Sequence, residues 1–274
     1  MDQGRRNLLI AGSIFGAFAV GGVLPSACAW REMSKRLPMP TSSIPKRPAG
    51  EPRPMLEEDI APVLARLDAW YAANLPADKY VFNPPASDAE MAAFEHLVGF
   101  GMPQSFRQLY RWHDGENDDR WGHIYGLPLL PLRAAAAEWK AWEKVLADFG
   151  GNRYAVPGGA WPRGAVDPAY INARWIPLTD DGSGNHIGLD FDPWPGGRVC
   201  QVILFGRDED VKAVLAESLC RFLEWIADLL EGGNFRLKLN DGERVLRQFR
   251  LKTPAVDRFH EGARSLLGAP GPFL

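Results

Sequence analysis

The chain has 274 residues, and its 46% hydrophobic content excludes an intrinsically disordered protein. A formal net charge of −3, with no long Lys/Arg run, excludes the clustered basic face that nucleic-acid binding requires. Ten Trp and fourteen Phe supply aromatic area for a core and for recognition surfaces.

The first thirty residues read as an address. Arg5-Arg6-Asn7-Leu8-Leu9 precedes an apolar, Gly-rich run from Ile10 to Leu24. Basic residues ahead of such a run predict an export signal, and the arginine pair resembles a twin-arginine signal. Ala27-Cys28-Ala29 fits signal-peptidase cleavage, while Cys28 also offers a lipidation site. Cleaved, lipidated and membrane-anchored forms remain open. All place the domain across or against a bacterial membrane, periplasmic or anchored. Residues 31–54 carry six prolines from Pro38 to Pro54, which forbid a helix and predict an extended linker. The folded domain is expected over 55–240, with a C-terminal extension over 241–274.

A helix is predicted from near Glu57, where Ile60, Val63, Leu64, Leu67, Trp70 and Tyr71 recur at helical spacing. Ser87-Asp88-Ala89-Glu90 is a capping box opening a second helix, stopped by Gly99-Phe100-Gly101. Met102-Pro103 starts a third, which ends in the turn His113-Asp114-Gly115. Ile124 to Leu129 reads as a short strand, Arg133 to Phe149 as a long helix, and Gly150 to Tyr170 as a Gly/Pro-rich loop. The period then changes. Arg174–Leu178, His186–Phe191 and Val199–Phe205 read as three strands of an antiparallel meander, the first two joined by a turn rich in Asp, Gly and Asn. Val211 to Glu231 is predicted as one amphipathic helix, and Phe235 to Leu239 as a last strand, followed by short helices. The class is α+β, a mainly antiparallel sheet flanked by helices in a single domain. Three cysteines do not make a disulfide framework; Cys200 and Cys220 read as buried thiols, although an oxidising compartment leaves a bridge between them open.

This order of features resembles the SMI1/KNR4 family, also called SUKH domains. The resemblance rests on a series of pieces in the family's order between about residues 55 and 232. They include the capped helix 87–95, Met102-Pro103 with its helix, the turn ending at Gly115, and Trp175-Ile176-Pro177. They continue with Gly182 and Gly184, Leu189-Asp190, Gln201-Val202, and the stretch from Leu215 to Leu223. Two departures stand out: Met102 replaces the usual Leu, and Cys200 the usual Gly before Gln201. The resemblance implies a SUKH-like fold in which Pro103, Gly115, Trp175, Pro177, Gly182, Gly184, Asp190 and Gln201 are structural. It implies a non-enzymatic protein-binding role, in bacteria often an immunity protein that neutralises a toxin. Fungal relatives are linked to cell-wall assembly.

No constellation points to catalysis, a metal or a cofactor. Asp180, Asp181, Asp190 and Asp192 invite a metal or acid–base reading, but turn chemistry and a solvated strand face explain them better. His113, Asp114 and His186 have no nucleophile in a suitable context. Recognition is the better reading. Trp112, Asp114, Glu116, Asp118, Asp119 and Trp121 crowd one loop, Asp180 and Asp181 another, with Trp194 nearby in sequence. If these converge, they form an acidic face with aromatic anchors, suited to a basic toxin. The leading expectation is therefore an exported immunity-type protein that binds a protein partner. The alternative is a structural or regulatory factor of cell-envelope or cell-wall assembly.

Overall fold

The computed structural model describes residues 44–76, 81–116, 122–148, 150–151, 154–239 and 246–271. The expected export segment and Cys28 lie outside them. Helix α1 (Ala61–Asn74) has Pro62 in its first turn, and its Val63, Leu64, Leu67, Trp70 and Tyr71 are buried. Helix α2 (Asp88–Val98) carries the full capping box: Glu90 N donates to Ser87 Oγ, and Ser87 N donates to Glu90 Oε2 at 2.8 Å. Helix α3 (Gln104–Trp112) follows Pro103. Gly115, at φ +65°, ends the connection that follows, where a Cβ would meet Pro131 N at 2.3 Å, so only glycine fits. Helix α4 spans Leu132–Asp148.

The main sheet has the order β1-β5-β4-β3-β2, with β1 (Ala160–Trp161) parallel to β5 and all other pairs antiparallel. Strands β2 (Trp175–Pro177), β3 (Asn185–Asp190) and β4 (Gln201–Gly206) form the expected meander. Both faces of this sheet are covered, which is why β3 and β4 are buried along their whole length. Ile176, Ile187, Leu189, Val202 and Leu204 enter the main core with the helices. Trp175, Ile203 and Phe205 point the other way, onto Ala165, Val166 and Ala169.

Several expectations are corrected. Val211 to Glu231 is not one helix. Its first part is strand β5 (Lys212–Ala216), and α5 covers only Leu219–Glu231, starting where Ser218 Oγ accepts from Arg221 N. The apolar residues satisfy both periods, but β4 leaves an edge that needs a partner, and Val214 suits it. Ile124 to Leu129 makes no strand. Tyr125 (φ 52°) and Gly126 (φ 92°) reverse the chain there, and only Leu129 bridges to Thr179. The loop 150–170 contributes β1 and lids the second face of the sheet.

The hydrophobic core also continues past residue 240. Strand β6 (Arg236–Leu239) pairs with β7 (Leu246–Arg250), and helix α6 (Phe259–Leu267) follows; Phe249, Leu251, Phe259 and Ala263 are core residues. Residues 44–54 form no helix and lie along the loop after β3, where Arg53 N donates to Gly197 O and Arg47 pairs with Asp192. Cys200 and Cys220 are free and buried. Among the described residues no helix is long and apolar enough to cross a membrane.

Candidate functional site

The β2–β3–β4 meander has a polar cluster at each end. At the first, the pairing Trp175↔Asp190↔Gln201 places three family-motif residues side by side. Asp190 is 0% exposed. Its Oδ1 accepts from Trp175 Nε1 at 3.1 Å and from Asp192 N at 3.0 Å, and its Oδ2 accepts from Gln201 Nε2 at 3.0 Å. Gln201 Oε1 in turn accepts from Arg198 N, and its Nε2 also donates to Ala165 O. Every donor to Asp190 is neutral. Burial therefore outweighs the hydrogen bonds and pushes its carboxyl up to about 7. The expected solvated strand face is corrected here: β3 is covered on both sides. Asp192 lies beyond the strand, half-buried, and pairs with Arg47 and Asn172.

Cys200 adjoins this cluster at φ +63°. The family's usual glycine falls where the backbone turns left-handed, so the departure at Cys200 carries a conformational cost that glycine would avoid.

The opposite end is built on an Asx turn. Asp181 Oδ1 accepts from Ser183 N and Asn185 N, and Oδ2 from Asn185 Nδ2, while Gly182 and Gly184 take positive φ. Asn185 Oδ1 accepts from Asp208 N, tying this turn to the β4–β5 loop. His186 is fully buried. Its Nδ1 donates to Thr179 O at 2.8 Å, and its Nε2 accepts from Trp142 Nε1 at 3.1 Å. Burial lowers its pKa and keeps it neutral. With both ring nitrogens committed, it has no free position for proton transfer.

Four buried groups at this end, Lys212, Glu209, His260 and Arg264, carry no signal in the sequence. Lys212 Nζ donates to Gly206 O at 3.1 Å, and burial lowers its pKa to about 7. Glu209, in the β4–β5 loop, pairs with Arg264 of α6 and lies 3.3 Å from His260 Nδ1. Lys212 was hidden because a lysine in an amphipathic helix reads as the solvated face. Glu209 and Arg264 are 55 positions apart, and no local pattern connects them.

The described members of the expected acidic, aromatic face are not brought together. Asp118, Asp119 and Trp121 lie outside the described residues. Glu116 is buried, with Oε1 accepting from His123 N and Leu129 N. Asp114 Oδ1 accepts from Leu132 N at 2.7 Å at the start of α4, and burial raises its pKa. Trp112 is half-buried; its Nε1 donates to Asp68 Oδ2 at 2.9 Å and its ring packs on Phe82. Trp194 is buried and follows Asp190, so the length of β3 separates it from Asp180 and Asp181. Asp180 and Asp181 stay partly exposed at the turn. Among the described residues no group of three or more His, Cys, Asp or Glu converges as metal ligands would.

The model of the SMI1 / KNR4 family (SUKH-1) matches residues 85–225. The chain is 29% identical over 232 residues to the cell wall assembly regulator SMI1 of Saccharomyces cerevisiae, covering 70% of this chain and 46% of that protein. It is 31% identical over 188 residues to the cell wall biosynthesis/cell cycle regulator smi1 of Schizosaccharomyces pombe, covering 64% and 37%. It is 27% identical over 223 residues to the glucan synthesis regulatory protein of Neurospora crassa, covering 70% and 42%. The chain thus spans less than half the length of these relatives. They are fungal and are named as regulators rather than as enzymes. This overturns the expectation of an exported bacterial immunity protein that neutralises a toxin. The twin-arginine route and the periplasmic or membrane-anchored location of a bacterial protein fall with it.

Proposed function

The chain belongs to the SMI1/KNR4 family, and from that premise we propose that it is a non-enzymatic, protein-binding regulator of cell-wall assembly. The observation that carries this reading is the likeness to three named wall or glucan regulators over about two thirds of the chain. The interior agrees with it. The motif residues Trp175, Asp190 and Gln201 spend their polar groups on one another, as scaffold residues do. Partner contact is then assigned to side chains that remain accessible, among them Asp180, Asp181 and the half-buried Trp112. The domain expected over 55–240 is proposed as the binding module, with 31–54 as its linker and the strand and helix beyond 240 packed onto its core.

Expression of this chain in a Saccharomyces cerevisiae strain lacking its own cell wall assembly regulator tests the proposal. Restored growth on a wall-perturbing dye is the expected result. Stable, folded chain that leaves the strain as sensitive as before counts against it.

A further inference from the structure

The segment ahead of α1 is seated on the domain. Residues 44–54 run without helix along the loop after β3. Ile44 packs against the cluster of Ala165, Val166 and Ala169. Arg47 donates to Asp192 Oδ1 at 2.7 Å and to Pro193 O at 2.6 Å. Further on, Arg53 N donates to Gly197 O and Arg53 O accepts from Val199 N, both at 3.0 Å, in a parallel bridge with Arg198. The Arg53 guanidinium pairs with Glu217, and Pro54 O accepts from Arg198 Nη1 at 2.7 Å. The seat thus holds the backbone of this strap and both of its arginine side chains, as a groove for an extended peptide does.

Seat and strap differ in kind. Residues 192–199 and Glu217 lie inside the family-matched region, whereas the strap lies outside it. The floor of the seat is the motif cluster: Asp192 N donates to Asp190 Oδ1, and Arg198 N donates to Gln201 Oε1. The strap itself is loosely held. The side chains of Arg47, Arg53 and Glu217 are at least 41% exposed, so their ion pairs are screened by solvent and contribute little. Residues 45–51 are exposed throughout, so little apolar burial holds them, and the entropy of ordering the strap opposes the contacts it makes. A segment held this way opens at far lower cost than the domain unfolds. Pro45, Pro48, Pro52 and Pro54 keep it extended when it is released.

We propose that the seat formed by residues 192–199 and Glu217 is a docking groove for an extended, proline-containing segment of a protein partner that carries two arginines spaced as Arg47 and Arg53 are, and that residues 44–54 fill it in cis until such a segment displaces them. Asp192 and Glu217 supply the charge complementarity. The assignment rests on the protein-binding reading above and names the chemistry of the partner.

The test uses the full chain, a full-length variant carrying Arg47→Glu and Arg53→Glu, and a labelled synthetic peptide of residues 44–55 as the probe. Both arginines are exposed, so the variant keeps the fold; its unfolding curve checks this. Repulsion from Asp192 and Glu217 unseats the strap of the variant. The peptide should therefore bind it at least about tenfold more tightly than wild type, where the cis segment competes. The bound peptide should slow exchange of the Val199 amide, and a peptide carrying Arg47→Gln and Arg53→Gln should not bind. In the wild-type chain the Val199 amide should exchange far faster than the amides of β4, a measurement that needs no variant. Absence of binding to the variant at millimolar peptide, equal binding to wild type and variant, equal binding of the Gln peptide, or Val199 exchange as slow as that of β4 overturns the assignment. So does a wild-type dimer that the double variant abolishes, because the strap would then sit in a second copy. Such a failure leaves the wall-assembly reading intact, because the rescue experiment tests that reading without this peptide.

Discussion

Asp190 and Glu209 are both buried carboxylates, at opposite ends of the same sheet, and they are satisfied in opposite ways. Asp190 accepts only from neutral donors, an indole, an amide and a backbone N–H. Glu209 faces the cation Arg264 and the ring of His260. Neutral donors leave the charge of Asp190 uncompensated, and its pKa rises. A buried cation compensates Glu209 but makes each partner depend on the other. The first arrangement lies inside the family-matched region and joins adjacent strands; the second fastens the C-terminal helix to the β4–β5 loop.

The comparison can be broken most strongly at the charged end. Arg264→Ala removes the partner of Glu209 and a donor to Val211 O, and should cost about 3–5 kcal/mol, read by denaturant unfolding. A loss below about 1 kcal/mol would mean that the pair does not fasten α6.

At the neutral end, Asp190→Ala should cost about 2–3 kcal/mol, because it leaves the Trp175 and Gln201 donors unpaired in the interior. Replacement by Asn keeps the shape and one acceptor oxygen, so its loss should be smaller. The same unfolding series ranks the two variants.

The two ends should also respond to pH with opposite signs. The folded pKa of Asp190 is raised to about 7 from 3.8. The stability it contributes is fully present below the unfolded value and is lost as pH rises through about 7. His260 is lowered from its ordinary 6.5. The folded chain keeps this ring neutral while the unfolded chain protonates, so that contribution is present above pH 6.5 and is lost as pH falls below it. Unfolding free energy measured from pH 4 to 8 for wild type and Asp190→Asn should differ by a curve that changes between about 4 and 7. A constant offset would show that Asp190 does not titrate in this window.

The smallest expected effect sharpens the turn beside the neutral cluster. Cys200→Gly trades a buried thiol for relief of the left-handed backbone, and should change stability by less than about 1 kcal/mol in either direction. Cys200→Val, β-branched at the same positive φ, should cost clearly more. Equal effects in a melting comparison would show that the backbone there is unstrained.

Legibility differed between the ends for physical reasons. Motif order pointed to the meander because Trp175, Asp190 and Gln201 sit in three successive strands joined by short connections with strong turn residues. The capping box at Ser87 and Glu90 was equally local. What the three polar residues do was not legible, since alternation implied a solvated face and only the packing of 165–169 shows that the face is covered. Strand β5 was misread because Val214, Leu215 and Leu219 fit a helical stripe, and the open edge of β4 that recruits them is invisible locally. The packing of the tail onto the core was invisible for the same reason. Phe249 stacks on Trp70 of α1 and on Tyr125, and Phe259 packs on Tyr125 and on Trp225 of α5, all distant in sequence. What the acidic loop residues do was not legible either, because such residues can serve the loop itself, as Glu116 and Asp181 do.

The central claim is that the motif carboxylate supports the scaffold while the regulator acts through binding. Asp190→Asn tests it most directly in the yeast rescue, with folded protein matched to the wild-type level. The account predicts that the variant restores growth on the wall-perturbing dye as well as wild type does. A folded variant that fails where wild type succeeds would contradict it, and would give Asp190 a direct part in function.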